Sequence, residues 1–441
     1  MTSPSTNPVS VGRSVGRFAM CLPSGATLTR FRFDSHTKPG RRQQVRLEHA
    51  PSAGSNRKSS NYSKFKGDSR LFSISLIMNE PMLTSSPSLP LYCLLLSITL
   101  VILVGVLWRF RNNLWVYILV WLIYGTAFVA LCWNLKQDGF DCMNLIAIGI
   151  FIGGTLLAVV QSAIAWKKFK VFSGFFAFGA IALIAFAMYA FVFEPYNFEV
   201  RYERITSDKI SKPIKIALMA DLQTDHVGDY EKMVLTRLMS ERPDLILIAG
   251  DLVQEFPEHF KEKARQMNTL LKNVHLSAPL GVYFTRGDAD HDKNWRMSFD
   301  GLPVEIIDSK SKDFETGELA MSALCLADSC AMGATGYKPR KSEKYHIIVG
   351  HRPDYFLDTT DGDLLVGGHT HGGQVKIPGF GPPITISRLP RDQAGGGLFT
   401  TAPDRHLLVT RGPGMERKYA PRLRVLCRPE IVILTLAPKK Q

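Results

Sequence analysis

Four stretches without a charged residue constrain this chain more than anything else in it. Residues 89–108 are almost wholly apolar and lie inside an uncharged interval between Glu80 and Arg109. The runs 112–135, 142–166 and 171–193 follow, also uncharged. A bilayer's hydrocarbon core takes about 20 apolar helical residues to cross, and a helix buried in a soluble protein rarely runs so long without a charge. Trp108, Trp115, Trp133 and Trp166 stand near the ends of these runs, where amphipathic rings favour the membrane interface. The expectation is four transmembrane helices at about 89–108, 114–133, 143–166 and 172–193, forming a region 78–195. None of these runs contains Asp, Glu, Lys, Arg or His, the residues expected along an ion or proton path. They read as an anchor more readily than as a transporter or sensor.

The connecting loops orient that anchor. Arg109 and Arg111 lie in the first loop and Lys167, Lys168 and Lys170 in the third, whereas the second holds Asp138, Asp141 and a single lysine, Lys136. Lys/Arg-rich loops stay cytoplasmic, so both chain ends and everything after the fourth helix are expected on the extracytoplasmic side. Residues 1–77 strain this reading. They carry 13 Lys/Arg against 3 Asp/Glu, with few apolar clusters, and read as a disordered basic tail. A translation start at Met78 or Met82 would remove the conflict.

That tail also accounts for most of the net charge of +14, leaving +4 for the rest. A folded nucleic-acid binder needs a clustered basic face, so no nucleic-acid partner is expected. The 7 cysteines are too sparse for a disulfide framework. Cys325 and Cys330 read as two buried thiols, or as a pair in an oxidising compartment.

From about residue 196 to 441 the pattern is that of one α/β domain. Short aliphatic runs at 214–220, 245–249, 281–285, 345–349 and 363–366 read as strands, and segments of helical period such as 230–241 and 258–273 lie between them. The strands end alike. Asp221 closes the first, and Gly250-Asp251 the second. Gly287-Asp288-Ala289-Asp290-His291 follows the third, Gly350-His351 the fourth, and Gly367-Gly368-His369-Thr370-His371-Gly372-Gly373 the fifth. Sites in α/β sheets form beyond the carboxyl ends of strands, so these side chains should converge. Mixed carboxylate and imidazole ligands suit Mn, Fe or Zn, and sometimes Mg. Two such ions can clamp a phosphoryl group.

In their order, these five motifs resemble the calcineurin-like metallophosphoesterase superfamily, with its D-x-H, G-D, G-N-H-[D/E], H and G-H-x-H. Residues 368–381 (GHTHGGQVKIPGFG), 408–412 and Arg428-Pro429-Glu430 are similar to its membrane-associated bacterial phosphodiesterase branch. The resemblance covers roughly residues 200–437. It implies a four-layer αββα sandwich with the metals at one sheet edge. It further implies a metal-dependent phosphoester hydrolase that attacks phosphorus with a metal-bridging hydroxide. By this resemblance Asp221, Gln223, Asp251 and His371 hold one ion, and Asp251, Asp288, His351 and His369 the other.

Three positions depart from the family pattern. Gln223 stands where the family has a histidine, and Asp288-Ala289 where it has Asn-His, so the imidazole that aids the leaving group is missing. His291 and His226 are candidate substitutes. Arg286 is a candidate phosphate contact, with a salt bridge as the alternative, and Arg422 and Arg424 read as strand-flanking charges. A phosphodiester is favoured as substrate, from the envelope or linked to a lipid. The alternative is a scaffold module that keeps the fold with a weakened site.

Overall fold

The structure, a computed structural model, describes residues 86–439. The basic tail and the start at Met78 or Met82 lie outside them.

The four apolar runs form helices α1 (Leu89–Arg109), α2 (Leu114–Leu135), α3 (Gly139–Ala165) and α4 (Lys170–Tyr196), each long and apolar enough to cross a membrane. Short polar residues fix where two of them begin. The Asn113 side chain accepts from the amide of Trp115, and that of Asp138 from the amide of Asp141, as N-caps do. The second cap starts α3 four residues earlier than expected and brings Asp141 into its first turn. Asp141 is fully buried there, accepting from the Ser88 hydroxyl at 2.8 Å and the Gln137 amide at 2.7 Å. A helix N-terminus favours an anion, which is why a buried carboxylate is tolerated at this position. Both α3 and α4 pass into wider π turns, at Gly149–Gly154 and Tyr189–Phe193.

Beyond Tyr196 the chain builds two six-stranded sheets. The first contains β1 (Glu199–Ser207), β2 (Ile214–Met219), β3 (Leu245–Ile248), β4 (Val282–Thr285), β5 (Val304–Ile307) and β12 (Glu430–Pro438), in the order β1-β12-β2-β3-β4-β5. The second contains β6 (Lys312–Thr316), β7 (Leu319–Ala323), β8 (Tyr345–Val349), β9 (Leu364–Gly367), β10 (Gly397–Ala402) and β11 (Arg405–Val409), in the order β10-β11-β9-β8-β7-β6. Within them β2 to β5 run parallel to one another, as do β7 to β9.

Strand side chains alternate between faces, and the burial follows that period. Ile216, Leu218, Leu245 and Leu247 face Met321, Ile347, Leu364 and Val366 across the inter-sheet core. Ala217, Met219, Ile246 and Ile248 turn outward against α5 (Asp229–Ser240) and α6 (Pro257–Asn273). The outer face of the second sheet packs Ile348, Leu365 and Leu407 with Leu324 and Tyr355, beneath α7 (Leu326–Cys330) and a 3-10 turn at Pro353–Asp358. This is the expected αββα layering, with a thin outer layer on one side. Cys325 and Cys330 are not joined by a disulfide.

The domain also packs on the end of α4. Leu423 and Val425 lie against Ala190, Phe191 and Val192. The Arg424 amide donates to the Ala190 carbonyl at 3.0 Å, and the Leu426 amide to the Tyr189 hydroxyl at 3.1 Å.

Candidate metal centre

Each motif residue lies just past a strand's carboxyl end: Asp221 after β2, Asp251 after β3, Asp288 after β4, His351 after β8 and His369 after β9. The first three come from one sheet and the histidines from the other, so the centre straddles both sheets and does not sit at one sheet edge as expected. Parallel strands bring it about, because they deliver their carboxyl ends to the same end of the sandwich.

Two groups of donor atoms form, each within 4.8 Å: Asp221, Asp251 and His351 in one, Asp288, His351 and His369 in the other. His351 belongs to both. Its Nε2 lies 3.4 Å from Asp251 Oδ2 and 3.3 Å from Asp288 Oδ2. Its Nδ1 pairs with the Ala249 carbonyl at 2.8 Å, which fixes the ring and leaves Nε2 facing the carboxylates. His369 is held the other way round, with Nε2 on the Ile386 carbonyl at 2.9 Å and Nδ1 3.0 Å from Asp288 Oδ2. Such outer contacts set the tautomer of a metal-binding imidazole.

The backbone is bent to reach this geometry. Asp221, Gln223, Asp251, His369 and His371 all have positive φ, between 37° and 67°. Non-glycine residues pay for that conformation in strain, and such residues cluster at functional sites. Gly287 permits the closest approach, since a Cβ there would lie 2.1 Å from Asp251 Oδ1. Asp290 pins the same turn. Its buried carboxylate accepts from the amides of Asp251 at 2.8 Å, Gly287 at 2.9 Å and Leu252 at 3.3 Å.

The electrostatics are those of a site short of positive charge. Burial pushes Asp221 up to about 7, partly offset by His351. Burial also raises Asp251 well above the carboxylate range, against His351 and with help from the charges of Asp290, Asp221 and Asp288. His351 would be lowered by its burial, but Asp251, Asp288 and Asp221 push it up to about 10. Asp288 goes the opposite way. Despite burial, the close imidazoles of His351 and His369 hold it well below the usual range.

Dications fit this donor set. Asp221 Oδ1, Gln223 Oε1, His351 Nε2 and His371 Nδ1 are buried and have no hydrogen-bond partner. Buried polar atoms are nearly always paired, and four unpaired donors or acceptors on motif residues match what ions would satisfy.

The remaining residues singled out from the sequence are placed differently. Gln223 lies beside Asp251, donating from Nε2 to Asp251 Oδ2 at 3.0 Å. His371 is buried in the same turn as His369 but joins neither group; burial and then the Arg424 charge hold it well below the usual imidazole range. His291 is exposed, with Nδ1 3.1 Å from the Asp288 carbonyl, and His226 is exposed near Gly228. Arg286 takes the salt-bridge alternative. It holds Asp308 at 3.0 Å and the Asp290 carbonyl at 2.9 Å, which braces the turn from behind.

Three residues at the site escape a reading of the sequence or contradict it. Arg352 makes a two-pronged pair with Asp288, Nε at 2.8 Å and Nη2 at 3.0 Å. Glu416 is partly buried beside Gln223, taking bonds from Gln254 Nε2 at 2.6 Å and Gln223 Nε2 at 3.4 Å; burial raises it. Arg424 is no strand-flanking charge. It is fully buried and donates to the carbonyls of Arg411, Gly412, Gly414, Cys427 and His371, tying the His371 turn to the 411–414 segment. Arg422 is also buried, paired with Asp225. A signal was available: residues 422–426 alternate Arg-Leu-Arg-Val-Leu, and Leu423 and Val425 face α4.

Residues 214–373 match the family model for calcineurin-like phosphoesterases. The metallophosphoesterase YkuE of Bacillus subtilis is 28% identical over 281 residues, 59% of this chain and 94% of that protein. The Escherichia coli protein named phosphodiesterase YaeI is 28% identical over 273 residues, 55% of this chain and 90% of that one. A solved dimetal phosphatase from Danio rerio aligns at 11% identity over 46% of this chain and 88% of that chain, with a TM-score of 0.27.

Proposed function

The chain belongs to the calcineurin-like metallophosphoesterase superfamily and is a metal-dependent phosphoester hydrolase; from that premise we propose that it is a membrane-anchored phosphodiesterase. The observation that carries this reading is the pair of donor groups joined through His351. Asp221, Asp251, His371 and Gln223 would hold one divalent ion, and Asp251, Asp288, His351 and His369 the other. Manganese, iron or zinc suit these donors, and magnesium is the harder alternative. Bound there, the ions would supply Lewis-acid charge to the phosphoryl oxygens and lower the pKa of a water molecule.

The chain's own groups do the rest. Gln223 is a weaker donor than the imidazole it replaces, and Glu416 brings a carboxylate to the same side, 3.4 Å from the Gln223 amide. Arg352, half-buried beside Asp288, is placed to meet a substrate phosphate oxygen through the fork that guanidinium offers. Ala289 lends no imidazole to the leaving group, and its amide instead holds Asp251 Oδ1 at 2.7 Å. General acid catalysis is worth about 10²–10⁴-fold, so substrates with good leaving groups suffer least. A phosphodiester agrees with that and with the name of the E. coli relative.

The helices serve as the anchor in this reading. The domain follows directly from the end of α4, while Arg109, Arg111, Lys167, Lys168 and Lys170 lie at the opposite helix ends. By the positive-inside bias the domain works outside the cytoplasm, on an envelope or lipid-linked ester.

The test is hydrolysis of bis-p-nitrophenyl phosphate by the full chain in detergent, stripped of metal and then given Mn²⁺, with Asp251→Asn beside it. Turnover should require the metal and vanish in the variant. Folded protein inactive with Mn²⁺, Zn²⁺, Fe²⁺ and Mg²⁺ alike would overturn the reading in favour of a scaffold.

A further inference from the structure

One flank of the metal centre is apolar and faces outward. Ile377, Phe380 and Ile384 are 46%, 54% and 52% exposed, on the loop that leaves the glycine-rich turn after β9. This loop is not a remote appendage. It ends at Ile386, whose carbonyl pairs with His369 Nε2 at 2.9 Å. At its start it runs beside the segment that packs on α4: the Lys376 amide donates to the Val425 carbonyl at 2.8 Å, and the Val425 amide to the Gln374 carbonyl at 2.9 Å.

That segment gives the depth. Arg424 bonds the Ala190 carbonyl, and the uncharged run of α4 continues to Phe193 before Glu194. At 1.5 Å per residue, the contact lies about 5 Å short of the end of that run. The 376–377 backbone is thus joined through Val425 and Arg424 to the last apolar turn of the helix, and the end of an apolar span is where hydrocarbon gives way to headgroups. Leu426, 51% exposed, is tied there by the Tyr189 hydroxyl, and tyrosine favours this layer. The Arg391 guanidinium lies 3.9 Å over the Phe380 ring, an apolar tip with a cationic rim, as suits an anionic lipid surface.

Resting on the phosphodiesterase reading, we propose that the 377–384 loop seats in the bilayer interface beside α4, and that the centre draws its phosphodiester from a lipid headgroup there. Continuity with the four helices selects lipid as the occupant over a second copy of the chain. In the reaction, water adds across one P–O ester bond. Its oxygen joins phosphorus and its proton ends on the departing alcohol, and no other reactant is required.

Two experiments on the full chain decide it. In the first, Phe380 is replaced by the photoreactive p-benzoylphenylalanine and the protein is irradiated in phosphatidylglycerol nanodiscs. A mass increase of one lipid supports the seating. A cross-linked dimer, or no adduct, overturns it, whatever the enzyme's activity. In the second, Ile377→Gln, Phe380→Gln and Ile384→Gln are combined. Wild type and variant are compared on soluble bis-p-nitrophenyl phosphate and on phosphatidylglycerol vesicles. The soluble turnover should agree within about twofold, which also checks folding, while vesicle turnover falls about tenfold or more, the scale of losing one buried aliphatic contact. Equal vesicle turnover in both proteins, or wild type that cleaves the soluble ester but no vesicle lipid, overturns the substrate assignment. Loss of the soluble reaction in wild type would instead sink the phosphodiesterase reading, and the lipid adduct would still report on the loop.

Discussion

Asp251 and Asp288 are both strand-end carboxylates within 3.4 Å of the same histidine nitrogen, yet their protons are held in opposite ways. Asp251, with Asp221, is sealed from solvent and faces more negative charge than positive, so burial raises both. Asp288 is partly exposed, bound by Arg352 and by two imidazoles, and is lowered. In the deep half His351 is the close cation and does not offset the burial of Asp221 and Asp251, so bound ions would complete its charge balance. The shallow half brings its own cation, Arg352, paired with Asp288 and proposed above as the contact for an incoming phosphate. Family membership alone would have made the two halves look equivalent.

The largest effect should come from the deep half. Asp251→Asn leaves the shape intact while removing the carboxylate common to both proposed ion sites, and turnover should fall on the order of 10³-fold, the scale of losing a preorganised electrostatic contact. Metal content by mass spectrometry should fall with it. Full metal content at wild-type turnover would break the distinction between the halves.

Arg352→Ala tests the shallow half. If its guanidinium serves the substrate, kcat/KM should drop about 10–100-fold, the scale of losing a charge-assisted hydrogen bond to a phosphate, with metal content unchanged. Arg352→Lys should recover only part, because a point charge lacks the two-pronged geometry. Loss of metal in Arg352→Ala would reassign the residue to holding Asp288 in place.

Much of this centre was legible before any fold was known, and the reason is local. A β-run followed by Gly-Asp or Gly-His states both where the chain turns and which donor it presents, so Asp221, Asp251, Asp288, His351 and His369 could be read one strand at a time. Arg352, Glu416 and Arg424 could not. Their meaning lies in contacts with Asp288, Gln223 and the 411–414 carbonyls, which only the packing of two sheets creates. Arg286 illustrates the converse: it sits next to a motif, but its partner Asp308 follows β5 and turns it away. Likewise the glycines announced tight turns, but nothing in the sequence announced that Asp221 and His369 themselves adopt left-handed backbone.

Gln223→His would sharpen the comparison by giving the deep half the imidazole its family carries. Metal affinity there should rise about tenfold, the low end of what a change around a metal ligand brings, measured by isothermal titration with Mn²⁺. Unchanged affinity would mean that Glu416 already supplies the missing donor, and Glu416→Gln should then weaken binding.

The smallest expected effect is also the most specific to the deep half, and it concerns pH. In the metal-free protein Asp221 is raised to about 7 from an ordinary value of 3.8, and His351 to about 10 from 6.5. A group whose pKa is raised by folding contributes stability that is complete below its unfolded value and is lost as pH climbs through the folded one. For Asp221 that loss runs from about pH 4 to 7, and for His351 from about 6.5 to 10, so both make the metal-free protein less stable as pH rises. Bound ions replace those protons, and stabilisation by ligand grows with affinity. The gain in Tm on adding Mn²⁺ should therefore widen between pH 6 and pH 8, by a few degrees for a domain of this size. In Asp288→Asn the part of the widening that comes from Asp221 should persist, while the part that comes from His351 shrinks, because Asp288 helps hold that proton. A gain that stays flat with pH in the wild type would mean that the deep carboxylates hold no protons to release, and the contrast between the two halves would have to rest on geometry alone.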